Sequence, residues 1–239
     1  MAFTIPEGKS KADYVQKKFS EIAKKYDLFN DIVTQGMHRY WKRFLVKKAR
    51  LNPGDQVLDI CCGTGDITQL LQKKTGKQGT TLGLDFSSGM LAVAAERDQT
   101  GLSSFLQGDA AVLPIISGSM DAVTVGYGLR NLIDISPCLE EVYRVLKPGG
   151  RFLCLDMGKV KIPIIREIFA FYFFKIVPRI GKLIYPGEDM FDYFPESSVE
   201  YPSQERLAEI LREHGYIDVS YHDFHFGSVT VHYAVKKQD

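Results

Sequence analysis

Carboxylates and glycines cluster in Val57-Leu58-Asp59-Ile60-Cys61-Cys62-Gly63-Thr64-Gly65-Asp66. An apolar run ends in an acid, breaks into a glycine-containing loop, and reopens as a helix at Asp66-Ile67-Thr68. That is the strand–loop–helix entrance of a doubly wound α/β domain, where a nucleotide-like ligand sits. A dinucleotide fingerprint needs a third glycine for close helix packing, and that position holds Thr68. Asp59 and Asp66 flank the loop and would repel a pyrophosphate, which wants bare backbone N–H groups and a helix N-terminus. They suit a cationic ligand instead. S-adenosylmethionine carries an ammonium, a sulfonium and an adenosine, so the loop favours it over NAD.

The next acid, Asp85, follows Gly65 by 20 residues and closes a second apolar run. That spacing places a carboxylate on both hydroxyls of a ribose. A helix cap is its competing role, with Ser87 or Ser88 as rivals for that job. Asp109-Ala110 ends a third run, where Asp109 can accept the exocyclic amine of adenine, and Phe86 and Met90 offer apolar surface to the ring. After the fourth run, Gly126-Tyr127-Gly128-Leu129-Arg130-Asn131 makes a poor structural turn and a good substrate-facing loop. Arg130 has a surface ion pair as its alternative.

Alternating elements must hold these residues. The spacing predicts strands over 56–60, 81–85, 104–108, 122–126 and 152–157, and helices over 66–74, 88–99 and 135–146. Lys147-Pro148-Gly149-Gly150 reads as a turn stopping the last of these helices. A helix over 202–214, with Gly215 as its stop, precedes strands over 217–223 and 228–236, joined through 224–227. The expected fold class is α/β: a Rossmann-like, mostly parallel seven-stranded sheet with an antiparallel C-terminal edge hairpin. Before the first strand, Ser10 can cap a helix carrying Val15, Phe19, Ile22 and Tyr26. Tyr26–Asp31 reads as a polar-aromatic break, and a second helix over 38–50 buries Trp41, Phe44 and Leu45. The division is an N-terminal helical lid over 1–50 and a core over 51–239, with an aromatic helical insertion over 159–200.

The chain has 239 residues, 45% hydrophobic and 25% charged, with a net charge of +1. Nothing global points to nucleic acid. Locally, 9–50 holds twelve Lys/Arg against four acids, and 159–182 holds six against Glu167 alone. Either stretch can face an anionic bilayer, or can be a solvated helix face. Cys61, Cys62, Cys138 and Cys154 make no C-x-x-C pair, so no metal is expected, and they suit a reducing cytoplasm. His222, His225 and His232 lack acidic or thiol partners and read as the solvent face of the hairpin. Met1–Pro6 lacks the apolar stretch of a secretory signal. No window is long and apolar enough to span a membrane.

The chain resembles the UbiE/MenG-type quinone C-methyltransferases over nearly all its length. Tyr26-Asp27-x-x-Asn30-Asp31 with His38-x-x-Trp41, Gly128-Leu129-Arg130-Asn131 and Tyr193-x-Pro195-Glu196-Ser197 are the specific matches. The glycine loop and Arg144-Val145-Leu146-Lys147-Pro148-Gly149-Gly150 are shared more widely. Phe29, Thr34, Asp156, Gly158 and Gly126 stand where the family has Met, Ser, Glu, Ser and often Ser. The resemblance implies a class I S-adenosylmethionine-dependent methyltransferase fold and methylation of a polyprenylated quinol ring carbon. Demethylmenaquinol going to menaquinol is the leading case. A ubiquinone-pathway benzoquinol is the alternative, and a small-molecule O- or N-methyltransferase the next. By position, Thr64, Asp85, Asp109 and Ala110 would contact S-adenosylmethionine, and Arg130 and Asn131 the ring hydroxyls. Tyr26, Asp59, Gly63, Gly65, Phe86, Met90, Gly126 and Tyr127 complete the candidate cofactor set.

Methyl transfer is an in-line displacement, so the enzyme must align two centres and exclude water. A ring carbon becomes nucleophilic when the neighbouring hydroxyl loses its proton. Arg130 suits the resulting phenolate but is a poor base. His38 is the candidate base, and a hydrogen-bonded helix-start residue is its competing role. The aromatic run over 162–185 is too charged to span a bilayer. It reads as part core and part greasy, basic-edged surface for a prenyl tail, with the protein peripheral on the inner face of the membrane. A homodimer is compatible with the sequence.

Overall fold

Alternation along β1 (Gln56–Ile60) sets the layers. Val57 packs with Trp41, Leu45 and Leu71, whereas Leu58 and Ile60 pack with Leu139, Val142 and Leu207. Successive strand side chains face opposite ways, so a strand apolar on both faces needs helices on both. The computed structural model describes residues 8–238, and the Met1–Pro6 stretch lies outside them. The other strands are β2 (Thr80–Asp85), β3 (Ser103–Gln107), β4 (Met120–Gly126), β5 (Leu146–Met157), β6 (Tyr216–Phe224) and β7 (Val229–Lys236). They form one sheet in the order β3-β2-β1-β4-β5-β7-β6. Strands β1 to β5 pair in parallel, and β7 runs antiparallel to both β5 and β6. The order reverses between β1 and β4, and ligands bind at such a switch point.

Helices α4 (Asp66–Thr75), α5 (Ser88–Arg97), α6 (Ile135–Val145) and α10 (Gln204–Glu213) cover this sheet. Caps are as expected for the residue types: Ser87 accepts from Met90 N, Asp134 from Ser136 N and Ser203 from Arg206 N. Gly215 ends α10 at φ +84°.

Two further groups of helices cover the carboxyl ends of the strands. The first is α1 (Gly8–Ile22), α2 (Tyr26–Thr34) and α3 (Met37–Lys48), and the second is α7 (Pro163–Phe171), α8 (Val177–Ile184) and α9 (Met190–Glu200). They share an apolar cluster of their own, in which Ile22 and Phe29 meet Val177, Met190, Phe191 and Phe194. A Cβ on Gly181 would fall 2.1 Å from the Phe191 ring, so only glycine allows α8 and α9 to pack this closely.

In several places the structure departs from what the sequence pattern predicts. Ser10 lies inside a helix already running at Gly8, so it is no cap. Tyr26–Asp31 is not a break but most of α2. The chain turns instead at Gln35 and Gly36, both at positive φ. Lys147–Gly150 belongs to β5, with a register shift between Met120 and Ala122 of β4. The antiparallel edge hairpin is as expected, with β7 next to β5 and β6 outermost. His232 is buried, its Nε2 2.9 Å from Gln204 O, and Phe44 is half-buried against His222. The aromatic run divides at a π-helical segment, Tyr172–Ile176. Val177 is buried, whereas Ile168 and Phe171 stay 65% and 64% exposed. No helix of the described residues is long and apolar enough to cross a membrane.

Candidate active site

The loop after β1 is wound by positive φ at Cys61, Gly63 and Gly65. Its backbone is tied at Cys62 N to Leu84 O and at Gly63 N to Asp85 Oδ2, 3.0 and 2.8 Å. Gly65 caps α4, where a Cβ would lie 3.1 Å from Ala94 Cβ. The two acids of this loop are not free for a ligand. Asp59, 1% exposed, accepts from Thr124 through Oδ1 and from Thr68 through Oδ2, both at 2.7 Å. It locks β1 to β4 and α4, and burial pushes its carboxyl up to about 6. Thr68, read as a missing glycine, is therefore a hydrogen-bond donor to the loop's own acid. Asp66 pairs with Lys42 of α3 and Arg97 of α5, both at 2.7 Å. Arg97 also binds Asp27 of α2, whose Oδ1 accepts from Thr64 Oγ1 at 2.9 Å. Five groups thus tie α2 and α3 to the loop, and the charges of Asp66 and Asp27 are already balanced by Lys42 and Arg97.

Above the loop lies a cavity of about 790 Å³. Every candidate residue except Gly65 lines it: Tyr26, His38, Asp59, Gly63 and Thr64 on one part, Asp85, Phe86, Met90, Asp109 and Ala110 on another. Gly126, Tyr127, Arg130 and Asn131 line it too. Asp85 ends β2, and Ser87 N adds a hydrogen bond of 2.8 Å to its Oδ1. Burial raises this carboxyl against those backbone donors. Ser87, not Asp85, caps α5. Asp109 stands exposed beyond β3, with Oδ1 2.8 Å from Ala111 N. Phe86 is 38% exposed at the wall and Met90 1%.

The end near β4 and β5 is built differently. Tyr127 sits at φ +60°, and a Cβ on Gly128 would be 2.4 Å from Cys61 Cβ, so the turn needs glycine there. One 3₁₀ turn, Leu129–Asn131, then aims Arg130 back into the protein. Its Nη1 donates to Asp156 Oδ1 at 2.7 Å and Tyr127 O at 3.0 Å, with side chains 7% and 2% exposed for the ion pair. Asn131 donates to Tyr127 O and accepts from Tyr193 Oη at 3.2 Å. Arg130 is therefore a buried ion-pair member, not a surface one. Several buried polar atoms here lack partners: Arg130 Nε, Asp156 Oδ2, Tyr127 Oη, Trp41 Nε1 and His38 Nδ1. Native structures rarely leave such atoms unsatisfied, and a ligand's hydroxyls, which both donate and accept, would satisfy them.

Asp156 and Asp31, which bonds His38, were missed as site residues. Reading one more strand end, that of β5, would have reached Asp156. Asp31 was signalled only by its place in the Tyr26–Asp31 match, because its partner His38 lies on another helix. His225, Ser228 and Val229 of the hairpin line the cavity as well. The three histidines do not converge: His222 stacks on Phe44, His225 meets Trp41 edge to face, and His232 faces Gln204.

The chain is similar to known proteins along nearly its whole length. The ubiE/COQ5 methyltransferase family matches residues 7–236. The demethylmenaquinone methyltransferase of Leptospira interrogans serovar copenhageni is 45% identical over 245 residues, covering 99% of this chain and 98% of its own. That of Staphylococcus aureus strain JH9 is 35% identical over 236 residues, with 98% of each covered. A solved SAM-dependent methyltransferase from Thermotoga maritima superposes with a TM-score of 0.66 over 93% of this chain and 99% of its own, at 19% identity. At that identity it speaks for the fold, which is that of class I S-adenosylmethionine-dependent methyltransferases. With the match to the family's pattern running nearly end to end, the chain belongs to the ubiE/COQ5 methyltransferase family.

Proposed function

We propose that this enzyme uses S-adenosylmethionine to C-methylate the ring of a polyprenylated quinol, turning demethylmenaquinol into menaquinol. The observation that carries the reading is the buried Arg130–Asp156 pair, whose Arg130 Nε has no partner at a wall of the same cavity that holds Asp85 and Asp109. The residues fit the cofactor. Asp85 and Asp109 keep unused lone pairs for ribose hydroxyls and the adenine amine, with Ala110, Phe86 and Met90 around the ring. Gly63 and Gly65 shape the loop. Thr64, Tyr26, Gly126 and Tyr127 bound the space beyond it. Asp59 supports the loop from behind, since threonines take both its oxygens. When bound, the cofactor supplies an electrophilic methyl group on sulfur.

Arg130 holds the developing phenolate, and Asn131, fixed by Tyr127 O and Tyr193 Oη, orients the ring. Helices α1, α2 and α3 act as the lid that excludes water, joined to the core through Asp27, Lys42, Asp66 and Arg97. Phe169, Tyr172 and Phe173 line the cavity where a prenyl tail would leave it. Outside them, Ile164, Ile168, Phe171 and Leu183 are 64–83% exposed beside the exposed Arg166, Lys175 and Arg179. This surface suits a bilayer face. For a second copy of the chain, the sheet offers the unpaired outer edges of β3 and β6.

The decisive experiment is methyl transfer from labelled cofactor to a short-tailed demethylnaphthoquinol and a demethylated methoxybenzoquinol, side by side. Product from the first is expected. Product from the second alone moves the enzyme to the ubiquinone route, and from neither overturns the acceptor. Flotation with anionic vesicles tests the membrane surface: Ile168→Ser with Phe171→Ser should abolish binding and leave turnover of short-tailed acceptors intact.

A further inference from the structure

His38 is the second residue of α3 and lines the cavity, with 3% of its side chain exposed. Its Nε2 lies 2.8 Å from Asp31 Oδ1. Arg39 grips the same carboxylate through both oxygens, its Nε 2.8 Å from Oδ1, and holds it below the usual carboxylate range. An ionised carboxylate only accepts hydrogen bonds, so the hydrogen of the neutral imidazole sits on Nε2. The bare nitrogen is then Nδ1, which is buried with no partner. Its neighbours bear on its charge from three elements. Burial and Lys42 lower the imidazole pKa from its ordinary value, and Asp31 of α2 and Asp66 of α4 act against them. The net effect is a neutral ring at pH 7.

Building on the quinol reading above, we propose that His38 Nδ1, fixed as a bare acceptor by Asp31, is the base that takes the ring hydroxyl proton. The O–H bond breaks, its electron pair stays on the ring oxygen, and the proton forms the Nδ1–H bond of an imidazolium. That cation keeps its Nε2–H on Asp31. Arg130 then stabilises a phenolate and removes no proton, which suits a guanidinium. The same arrangement reads the redox state of the ring. A reduced ring offers Nδ1 an O–H, whereas the carbonyl of an oxidised ring sets lone pair against lone pair.

Histidine ¹⁵N NMR of the full chain, with His38 assigned by loss of its signals in His38→Gln, reads the tautomer without turnover. The Nε2–H form is expected, titrating below the ordinary 6.5. For a short-tailed demethylnaphthoquinol under anaerobic conditions, wild-type kcat/KM should fall on the acid side at that same midpoint. His38→Gln should lower kcat about 100-fold or more, erase the acid limb, and leave the Kd for S-adenosylhomocysteine unchanged. Asp31→Asn preserves an acceptor but removes the charge, so the limb should move to lower pH. An Nδ1–H tautomer overturns the proposal, as does an acid limb retained in His38→Gln. A parallel loss of S-adenosylhomocysteine binding also overturns it, by assigning His38 to the cofactor. Failure of wild type to methylate any quinol instead strikes the acceptor reading, while the tautomer is still read independently.

Discussion

The two ends of the cavity satisfy their polar groups in opposite ways. At the loop after β1, Asp59 is filled by two threonines and Asp66 by a lysine and an arginine. At the Arg130 end, Arg130 Nε, Asp156 Oδ2 and Tyr127 Oη are buried and unpartnered. The first end is finished before any ligand arrives and offers shape, backbone and spare lone pairs. The second end holds desolvated groups whose partners must come with the substrate. Groups of the second kind stabilise charge that develops during reaction, since they need no rearrangement at that moment.

Breaking the pair at the acceptor end should give the largest effect. Asp156→Ala strands a buried guanidinium, which costs about 3–5 kcal/mol and should lower Tm by roughly 10 °C in calorimetry. Arg130→Gln should reduce kcat about 10²–10³-fold with the Kd for S-adenosylhomocysteine unchanged, measured by titration calorimetry. Asp85→Asn should do the reverse: cofactor binding weakened about tenfold, by the loss of charged hydrogen bonds to the ribose, with saturated turnover largely kept. Equal effects of these two variants on both quantities would erase the distinction between the ends. Arg97→Ala, a partly exposed ion pair, should change stability by about 1 kcal/mol or less and raise the KM for the cofactor.

Asp59 gives a pH test of the finished end. Its folded pKa, about 6, lies above the ordinary 3.8. A carboxyl raised in this way contributes stability below about 4 that is lost as pH rises through about 6. Asp59→Asn should therefore flatten the dependence of Tm on pH across that window and match or exceed wild type at pH 8.

The glycine loop, Asp85 and the Gly128–Asn131 turn were legible because their meaning is local: spacing from a strand end decides it. The charge argument at the loop was not. It counted Asp59 and Asp66 without their partners, and Lys42 and Arg97 lie 24 and 31 positions from Asp66. Helix α2 was hidden for a related reason. Its stripe of Tyr26, Phe29 and Val33 is short, and Asp27, Asn30 and Asp31 beside it read as a polar break until Thr64, Arg97, His38 and Arg39 are seen to hold the two acids. Of the twelve basic residues over 9–50, Lys18, Arg39 and Lys42 are held in ion pairs that the sequence does not reveal.

Strand β6 touches no strand but β7, and β7 is flanked by β5 on its other side. In folding terms β6 has nowhere to dock until β7 is in place, so the two should arrive as a preformed hairpin. The contacts made on arrival are among the most distant in the sequence, and such contacts form late. Because His225, Ser228 and Val229 of that hairpin line the cavity, the acceptor end should be the last part to close on refolding. Pulsed hydrogen exchange would show it as common, delayed protection of β6 and β7 amides after β1, β2 and β4 are already protected. Early protection of β7 without β6 would break that order.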